Sequence, residues 1–357
     1  MWIQNLKLNK FRNYLSQNIE FNENINIFLG DNAQGKTNLL ESIYYLANAK
    51  SFKSFRDKDL IMFNEKEMSL DGIIRKNQSF KNVHISVNEN KKDIFVNEIK
   101  YDKNKDLKSL FKLVLFTPED LNIIKDGPNF RRDLIDDIII SVNFSYKAVK
   151  NDFDKILSQR NKLLKNQRSK YFKTELMAFD QQIIRLNYKI YRFREKYISL
   201  INTYANKNHL NLTENKENLT IIYKPNIKAN SMEEYGENFM ENISDDLKYY
   251  RTTSGSQRDE IDIIINGKDT KKFGSQGQQR SAILNIKLAN VNLIENTSQD
   301  KAIILFDDVF SELDEKRSNF LLENLGEFQT IITATNTKSL DGVSRSKIRK
   351  IKDGRIK

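Results

Sequence analysis

Three stretches carry residue types whose spacing is diagnostic of chemistry. Gly30-Asp31-Asn32-Ala33-Gln34-Gly35-Lys36-Thr37 fits G-x-x-x-x-G-K-[ST], a phosphate-binding loop. Gly30 and Gly35 permit backbone angles that a side chain would forbid, so successive N–H groups can turn toward one anion. Lys36 then reaches the β- and γ-phosphates, and the Thr37 hydroxyl can ligate Mg²⁺. Ala302-Ile303-Ile304-Leu305-Phe306-Asp307-Asp308 is an apolar run ending in acids. In phosphate-loop proteins such a strand supplies the carboxylate that holds hydrated Mg²⁺, a role for Asp307, and Asp308 is then placed to orient or polarise water. Third, Gly274-Ser275-Gln276-Gly277-Gln278-Gln279-Arg280 precedes an apolar-periodic run, and small residues and amides at a helix start suit a phosphate.

The elements that must position these groups are legible around them. Ile25 to Leu29 reads as a strand entering a core, and Asn38 to Leu46 has apolar residues at helical spacing. Strand, loop and helix occur in the order a phosphate site needs, with the helix N-terminus toward the anion. Asp307 lies far along the chain, so two parallel strands of one sheet are expected to bring it to the loop. Short alternating runs at Trp2–Leu8, Ile73-Ile74, Val83–Val87 and Ile94–Val96 predict antiparallel strands, with a turn at Asn88-Glu89-Asn90.

From Tyr146 to about Tyr204 the pattern changes. Glycine and proline are absent, and apolar residues recur at helical spacing in two runs, which predicts a long helical hairpin. Between Lys147 and Lys196 there are fourteen Lys/Arg against five Asp/Glu, so this arm carries most of the formal excess of +11. Basic helices are often merely solvated, but so local an imbalance favours contact with a polyanion. Arg131-Arg132 admits either phosphate contact or ion pairing with a nearby Asp.

Composition narrows the remaining classes. The chain of 357 residues has no cysteine and only His84 and His209, which removes disulfides and thiolate zinc sites and leaves little room for histidine-based chemistry. No apolar run is long enough to span a membrane, and a reduced cytoplasmic protein is the expectation.

Together with Phe11-Arg12-Asn13-Tyr14, Phe116-Thr117-Pro118-Glu119-Asp120-Leu121, Gln159-Arg160-Asn161 and Ser311-Glu312-Leu313-Asp314, these motifs resemble the ABC-type ATPases of chromosome maintenance and repair. Within them they resemble the RecF family of bacterial recombination mediators. The resemblance implies an α/β fold, an ABC-type P-loop ATPase head with an inserted, mainly helical arm. Expected boundaries are residues 1–140 and 249–357 for the head and 141–248 for the arm. It implies ATP with Mg²⁺, held by residues Gly30 to Thr37 and by Asp307, with Lys36, Asp307 and Asp308 catalytic. Ser275, Gly277 and Gln278 of one subunit are expected on the nucleotide of another, in an ATP-dependent homodimer, and Arg12 and Asn13 near the base or phosphates. Expected partners are double- and single-stranded DNA at gapped junctions, RecR, and RecO and RecA in the same pathway, with slow, DNA-stimulated turnover and no membrane. The rivals are a nucleoid protein with a vestigial nucleotide site and an NTPase with no nucleic acid partner. Two departures from the family pattern stand out. Ile331-Ile332-Thr333-Ala334-Thr335 offers hydroxyls where a switch histidine is usual, and Ser256-Gln257-Arg258-Asp259 replaces Pro-His-Arg-Asp.

Overall fold

A computed structural model describes residues 1–76, 78–101, 107, 112–168, 170–298, 300–336 and 347–357. The chain divides into two units, one formed by Met1–Asp120 with Ile294–Lys357 and the other by Leu121–Leu293.

The first unit opens with β1 (Trp2–Phe11), β2 (Tyr14–Glu20) and β3 (Ile25–Leu29), followed by α1 (Lys36–Asn48). Next come β4 (Glu67–Lys76), β5 (Ser79–Asn88), β6 (Lys92–Val96), β7 (Ile99–Lys100) and β8 (Leu113–Phe116). β1, β2 and β4–β7 form an antiparallel sheet in the order β2-β1-β4-β5-β6-β7. The predicted turn is present, with the Asn88 side chain accepting from the N–H groups of Asn90 and Lys91.

Leu121 begins the second unit. α2 (Asn122–Lys125) and α3 (Pro128–Val142) lead into the hairpin of α4 (Phe144–Lys165) and α5 (Phe172–Leu212). β9 (Leu219–Lys224), α6 (Met232–Met240) and α7 (Ile243–Tyr249) follow. Then come β10 (Glu260–Ile265), β11 (Lys268–Asp269), α8 (Thr270–Phe273) and α9 (Gln276–Ser298). A small antiparallel sheet, β11-β10-β9, shares a core with α3, α5 and α9.

Back in the first unit lie β12 (Ile303–Asp307), α10 (Glu315–Asn324), β13 (Thr330–Ala334), β14 (Lys347–Lys352) and β15 (Arg355–Ile356). These strands join β3 and β8 in a second sheet of order β15-β14-β3-β13-β12-β8. Its β14-β3-β13-β12-β8 pairings are all parallel. The near-continuous apolar runs of β3, β12 and β13 match this placement, since parallel strands are buried on both faces. Leu39, Leu40, Ile43 and Leu46 of α1 share one core with Leu6, Leu70 and Ile85 of the antiparallel sheet and Leu305 and Ile331 of the parallel one. The loop-bearing strand and the acid-bearing strand do lie in one sheet, but they are not neighbours. β13 stands between them.

Candidate nucleotide-binding site

β3 ends at the loop, where the Gly30 N–H donates to the Ala334 carbonyl at 3.2 Å. Asp31, Asn32 and Ala33 are exposed, and the left-handed backbone positions are Ala33 at φ 66° and Gly35 at φ 111°. Gly30 is not among the residues of positive φ, which corrects the expectation that it supplies an unusual angle. Its missing side chain serves close packing instead, because a Cβ there would lie 2.6 Å from the Ile351 carbonyl oxygen of β14. α1 starts directly after Gly35 with no side-chain cap. Its first N–H groups therefore remain available to an anion, which fits a bound phosphate chain. Lys36 is buried and its ammonium donates to the Gly30 carbonyl at 2.6 Å, so its charge is held at the loop.

The loop is held from behind by residues from both ends of the chain. Asn13 Nδ2 donates to the Gln34 carbonyl at 3.2 Å, and the Tyr14 hydroxyl to the Gly35 carbonyl at 3.0 Å. Burial pushes the Tyr14 hydroxyl pKa well up, so it stays a donor. The Gly354 N–H donates to the Gln34 carbonyl at 3.1 Å, and the Asp353 N–H to Gln34 Oε1 at 2.7 Å. Asn13 Oδ1 also accepts from Asn38 Nδ2 at 2.9 Å. Asn13 is thus a brace of the loop in this structure.

Arg12 sits beside it in the two-residue hairpin between β1 and β2. Its guanidinium grips the buried Glu41 of α1 through Nε and Nη2, both at 2.8 Å. It also donates to the Asp59 carbonyl at 2.7 Å and to Ser54 Oγ at 2.6 Å. Glu41 accepts from Ser51 as well, so Arg12 and Glu41 together fold the Ser51–Arg56 connection onto α1.

The carboxylate pair arrives on β12. Thr37 Oγ1 donates to Asp307 Oδ1 at 2.9 Å, and Thr333 Oγ1 of β13 donates to the same oxygen at 3.1 Å. Burial raises the Asp307 pKa, opposed by these two hydroxyl donors. Among the described residues no group of three or more His, Cys, Asp and Glu could hold a metal. One carboxylate and one hydroxyl suit Mg²⁺, which keeps several waters and takes the rest of its shell from substrate phosphates. Asp308 sits at φ 54°, its N–H shared between the carbonyl and hydroxyl oxygens of Thr333, both at 3.1 Å. Burial raises its pKa while the nearby Lys36 charge lowers it. Its Oδ1 is buried with no hydrogen-bond partner among the described residues. After it, Ser311 Oγ donates to the Asp308 carbonyl at 2.6 Å, and Asp314 caps α10.

Thr333 is the site residue that sequence reading undervalued. Standing where a switch histidine is usual, it bonds to both Asp307 and Asp308 from the strand that separates β12 from β3.

In the second unit, Ser275 and Gln278 cap the start of α9 reciprocally: Ser275 N–H donates to Gln278 Oε1 at 2.9 Å, and Gln278 N–H to Ser275 Oγ at 3.2 Å. Ser275 is exposed, Gly277 is half-buried, and Gln278 Nε2 is anchored on Glu217 at 2.8 Å. Arg131 and Arg132 are committed internally. Arg131 donates to the Ile261 carbonyl at 2.9 Å, and Arg132 to the Asp259 carbonyl at 2.5 Å. Arg160 and Arg194, counted with the basic arm, are among the largest fully buried side chains. Arg160 joins Asp180 (2.8 Å), Asp246 (2.6 Å) and Thr252 (2.8 Å). Arg194 joins Asp136 through two bonds, Asp259 at 2.7 Å and the Ser256 carbonyl at 2.7 Å. Asp259 further accepts from Tyr223 at 2.6 Å and from the Asn226 N–H at 2.9 Å. The Ser256–Asp259 loop therefore has a structural part to play: its acid anchors it to the arm. Removing the two buried arginines and the buried Asp180 leaves twelve basic against four acidic residues on the hairpin, still strongly positive.

Comparison with known proteins is consistent with this geometry. The family model described as RecF/RecN/SMC N terminal domain matches residues 2–356. The protein called DNA replication and repair protein RecF in Alkaliphilus oremlandii is 39% identical over 348 residues, covering 95% of each chain. Its counterpart in Lachnospira eligens is 37% identical over 362 residues, covering 100% of this chain and 99% of the relative. A solved structure of the recombination mediator protein RecF with ATP, in the RecFOR pathway, superposes with a TM-score of 0.91 at 31% identity, over 100% of this chain and 97% of that one. The Smc head domain of Pyrococcus furiosus, solved with the C-terminal domain of ScpA, shares the fold at TM-score 0.58 and 17% identity, over 100% of this chain and 95% of that one. The fold is that of an ABC-type ATPase head with a helical arm, and the chain belongs to the RecF/RecN/SMC N-terminal domain family and, within it, to the RecF proteins.

Proposed function

We propose that this chain is an ATP-dependent DNA-binding recombination mediator acting in DNA replication and repair. The observation that carries the nucleotide half is the uncapped start of α1, joined through Thr37 to Asp307 on another strand of the same sheet. Lys36, the backbone of Gly30 to Gly35 and the first turn of α1 hold the phosphates of ATP. Thr37 and Asp307 hold Mg²⁺, which supplies charge neutralisation at the phosphates when bound. Asp308 orients the attacking water: it is half-buried, its raised pKa suits transient acceptance of a proton, and its Oδ1 has no hydrogen-bond partner among the described residues. Thr333 keeps both acids in register, and Asn13, Tyr14 and Gly354 keep the loop from yielding.

Ser275, Gly277 and Gln278 lie in the other unit, at an exposed helix start suited to the γ-phosphate held by a second copy. Split in this way, the site is complete only in a homodimer, and ATP becomes a timer for DNA binding. The net positive hairpin supplies the phosphate-backbone contacts. Slow turnover stimulated by DNA, action at gapped junctions, and cooperation with RecR, RecO and RecA belong to the same proposal. They are supported by the relatives' names and by the RecFOR setting of the solved neighbours.

Sedimentation velocity with ATP, ADP or no nucleotide, with and without duplex DNA, tests it on wild type and Ser275→Arg. Dimer formation and tighter DNA binding with ATP alone, both lost in the variant, are expected. A monomer in every condition with unaltered DNA binding refutes the split site and leaves the nucleotide without a switching role.

A further inference from the structure

The end of the α4–α5 hairpin carries a feature that the nucleotide site does not use. Leu163, Leu164 and Leu176 form a small core there with Phe172, Phe179, Ile243 and Leu247, which docks α7 on the hairpin. Gln167 Nε2 adds a bond to the Leu247 carbonyl at 2.7 Å. Where α7 ends, Tyr249 and Tyr250 are 52% and 53% exposed, and Tyr171, at the opening of α5, is 61% exposed. Three large rings at one end of an arm, each about half in water, are a substantial apolar exposure.

The turn that displays them is built rigidly. Tyr250 adopts φ 55° as the residue closing α7, a position glycine normally takes because a side chain there is strained. Its N–H and that of Arg251 both donate to the Asp246 carbonyl, the latter at 3.2 Å. The Asp246 carboxylate collects the N–H and hydroxyl of Thr253 at 2.7 and 2.6 Å, and it is itself held by the buried Arg160. A buried ion pair is a costly way to fix an exposed turn. It gains its justification if the side chains on that turn must be held ready for a ligand, since preorganisation lowers the entropic cost of binding.

The surroundings define the ligand. Residues 162–173 and 248–251 carry seven exposed Lys and Arg, against exposed Glu175, Glu241 and Asp245 nearby. Two of the rings already lie under ammonium groups, Tyr171 under Lys170 and Tyr249 under Lys248. Aromatic faces interleaved with cations suit unpaired bases joined by phosphates; in a duplex the base faces are stacked away and only the cations would be used. We propose that Tyr171, Tyr249, Tyr250 and Arg251 form a contact for single-stranded DNA, the tyrosines stacking on bases and Arg251 meeting a phosphate. This rests on the DNA-binding reading above and specifies which strand form the arm's end takes.

Fluorescence anisotropy of the full chain with labelled oligo-dT and with a duplex of equal length tests the assignment. Tyr249→Ala is expected to weaken oligo-dT binding about five- to a hundred-fold while changing duplex affinity less than about twofold, and Tyr249→Phe to restore it. Arg251→Ala should reduce the salt dependence of oligo-dT binding by about 0.7 in log–log slope. Duplex binding without oligo-dT binding, or oligo-dT binding that Tyr249→Ala leaves intact, overturns the contact and leaves the DNA-binding reading standing. A wild-type chain that binds neither DNA overturns both. Tyr249 is about half exposed, and unchanged melting of each variant confirms that the comparison is of binding.

Discussion

Arg194→Leu is the perturbation with the most to tell about the arm. The guanidinium is almost wholly buried between Asp136 and Asp259, and it also holds the Ser256 carbonyl. Leucine leaves both carboxylates inside the protein without their cation. Breaking a buried pair in this way costs about 3–5 kcal/mol, because the orphaned charge is stranded in a medium that solvates it poorly. For a unit of the size of Leu121–Leu293, each kcal/mol lowers the melting temperature by roughly 2–4 °C, so a drop of roughly 6–20 °C is expected. The deficit carries a pH signature. Burial already raises the Asp259 pKa, and Arg194 is the foremost influence opposing that rise. Without Arg194 the folded state takes up a proton at higher pH than the unfolded state, so the deficit shrinks as pH falls through the folded pKa. Relief is complete only once pH falls below the ordinary carboxylate value, near about 4. Urea denaturation followed by circular dichroism at pH 7 and pH 5 reads both effects. Adding Asp136→Asn and Asp259→Asn should recover part of the loss at pH 7. A deficit below about 1 kcal/mol, or one that grows on acidification, would refute the account of this cluster.

Two further outcomes follow from the nucleotide site. Asp307→Asn removes a carboxylate that burial already disfavours, so the nucleotide-free protein should gain about 0.5–2 kcal/mol in denaturation while ATP turnover falls to background. An Asp307→Asn variant that is both less stable and fully active would contradict its placement as a metal ligand. Gly30→Ala must move the Ile351 backbone or the loop root by several tenths of an ångström, and titration calorimetry should show ATP affinity at least tenfold weaker; unchanged affinity would mean that the β14 contact does not shape the loop.

The head was legible because its signals are local. Ile25–Leu29, Gly30–Thr37 and Asn38–Leu46 declare a strand, loop and helix by spacing alone, and β12 announces itself as five buried residues ending in Asp307. The long helices of the arm were equally plain, since period 3.6 persists over α4 and α5. What stayed hidden depends on partners distant in sequence. Nothing near Gln34 foretells Asp353 and Gly354, and nothing in β3 or β12 says that β13 inserts between them. Arg160 and Arg194 look like any other arginine of a basic helix, because burial of a charge is decided by Asp246 and Asp259, beyond the reach of any periodicity. The resemblance places Arg12 near the nucleotide, whereas Glu41, its partner in the structure, is simply the residue that the α1 pattern places on a buried face.

The parallel sheet also bears on the order of events during synthesis. β3 is flanked by β13 and β14, whose residues leave the ribosome about three hundred residues after its own. The second unit is one uninterrupted stretch, Leu121–Leu293, and can collapse on itself earlier. The emerging phosphate loop must therefore wait, unsupported on either side, until more than two hundred intervening residues have closed the gap. A nascent chain halted before β13 should resist protease across the arm yet fail to retain ATP, so the protein acquires its switch only after the part assigned to DNA has taken shape.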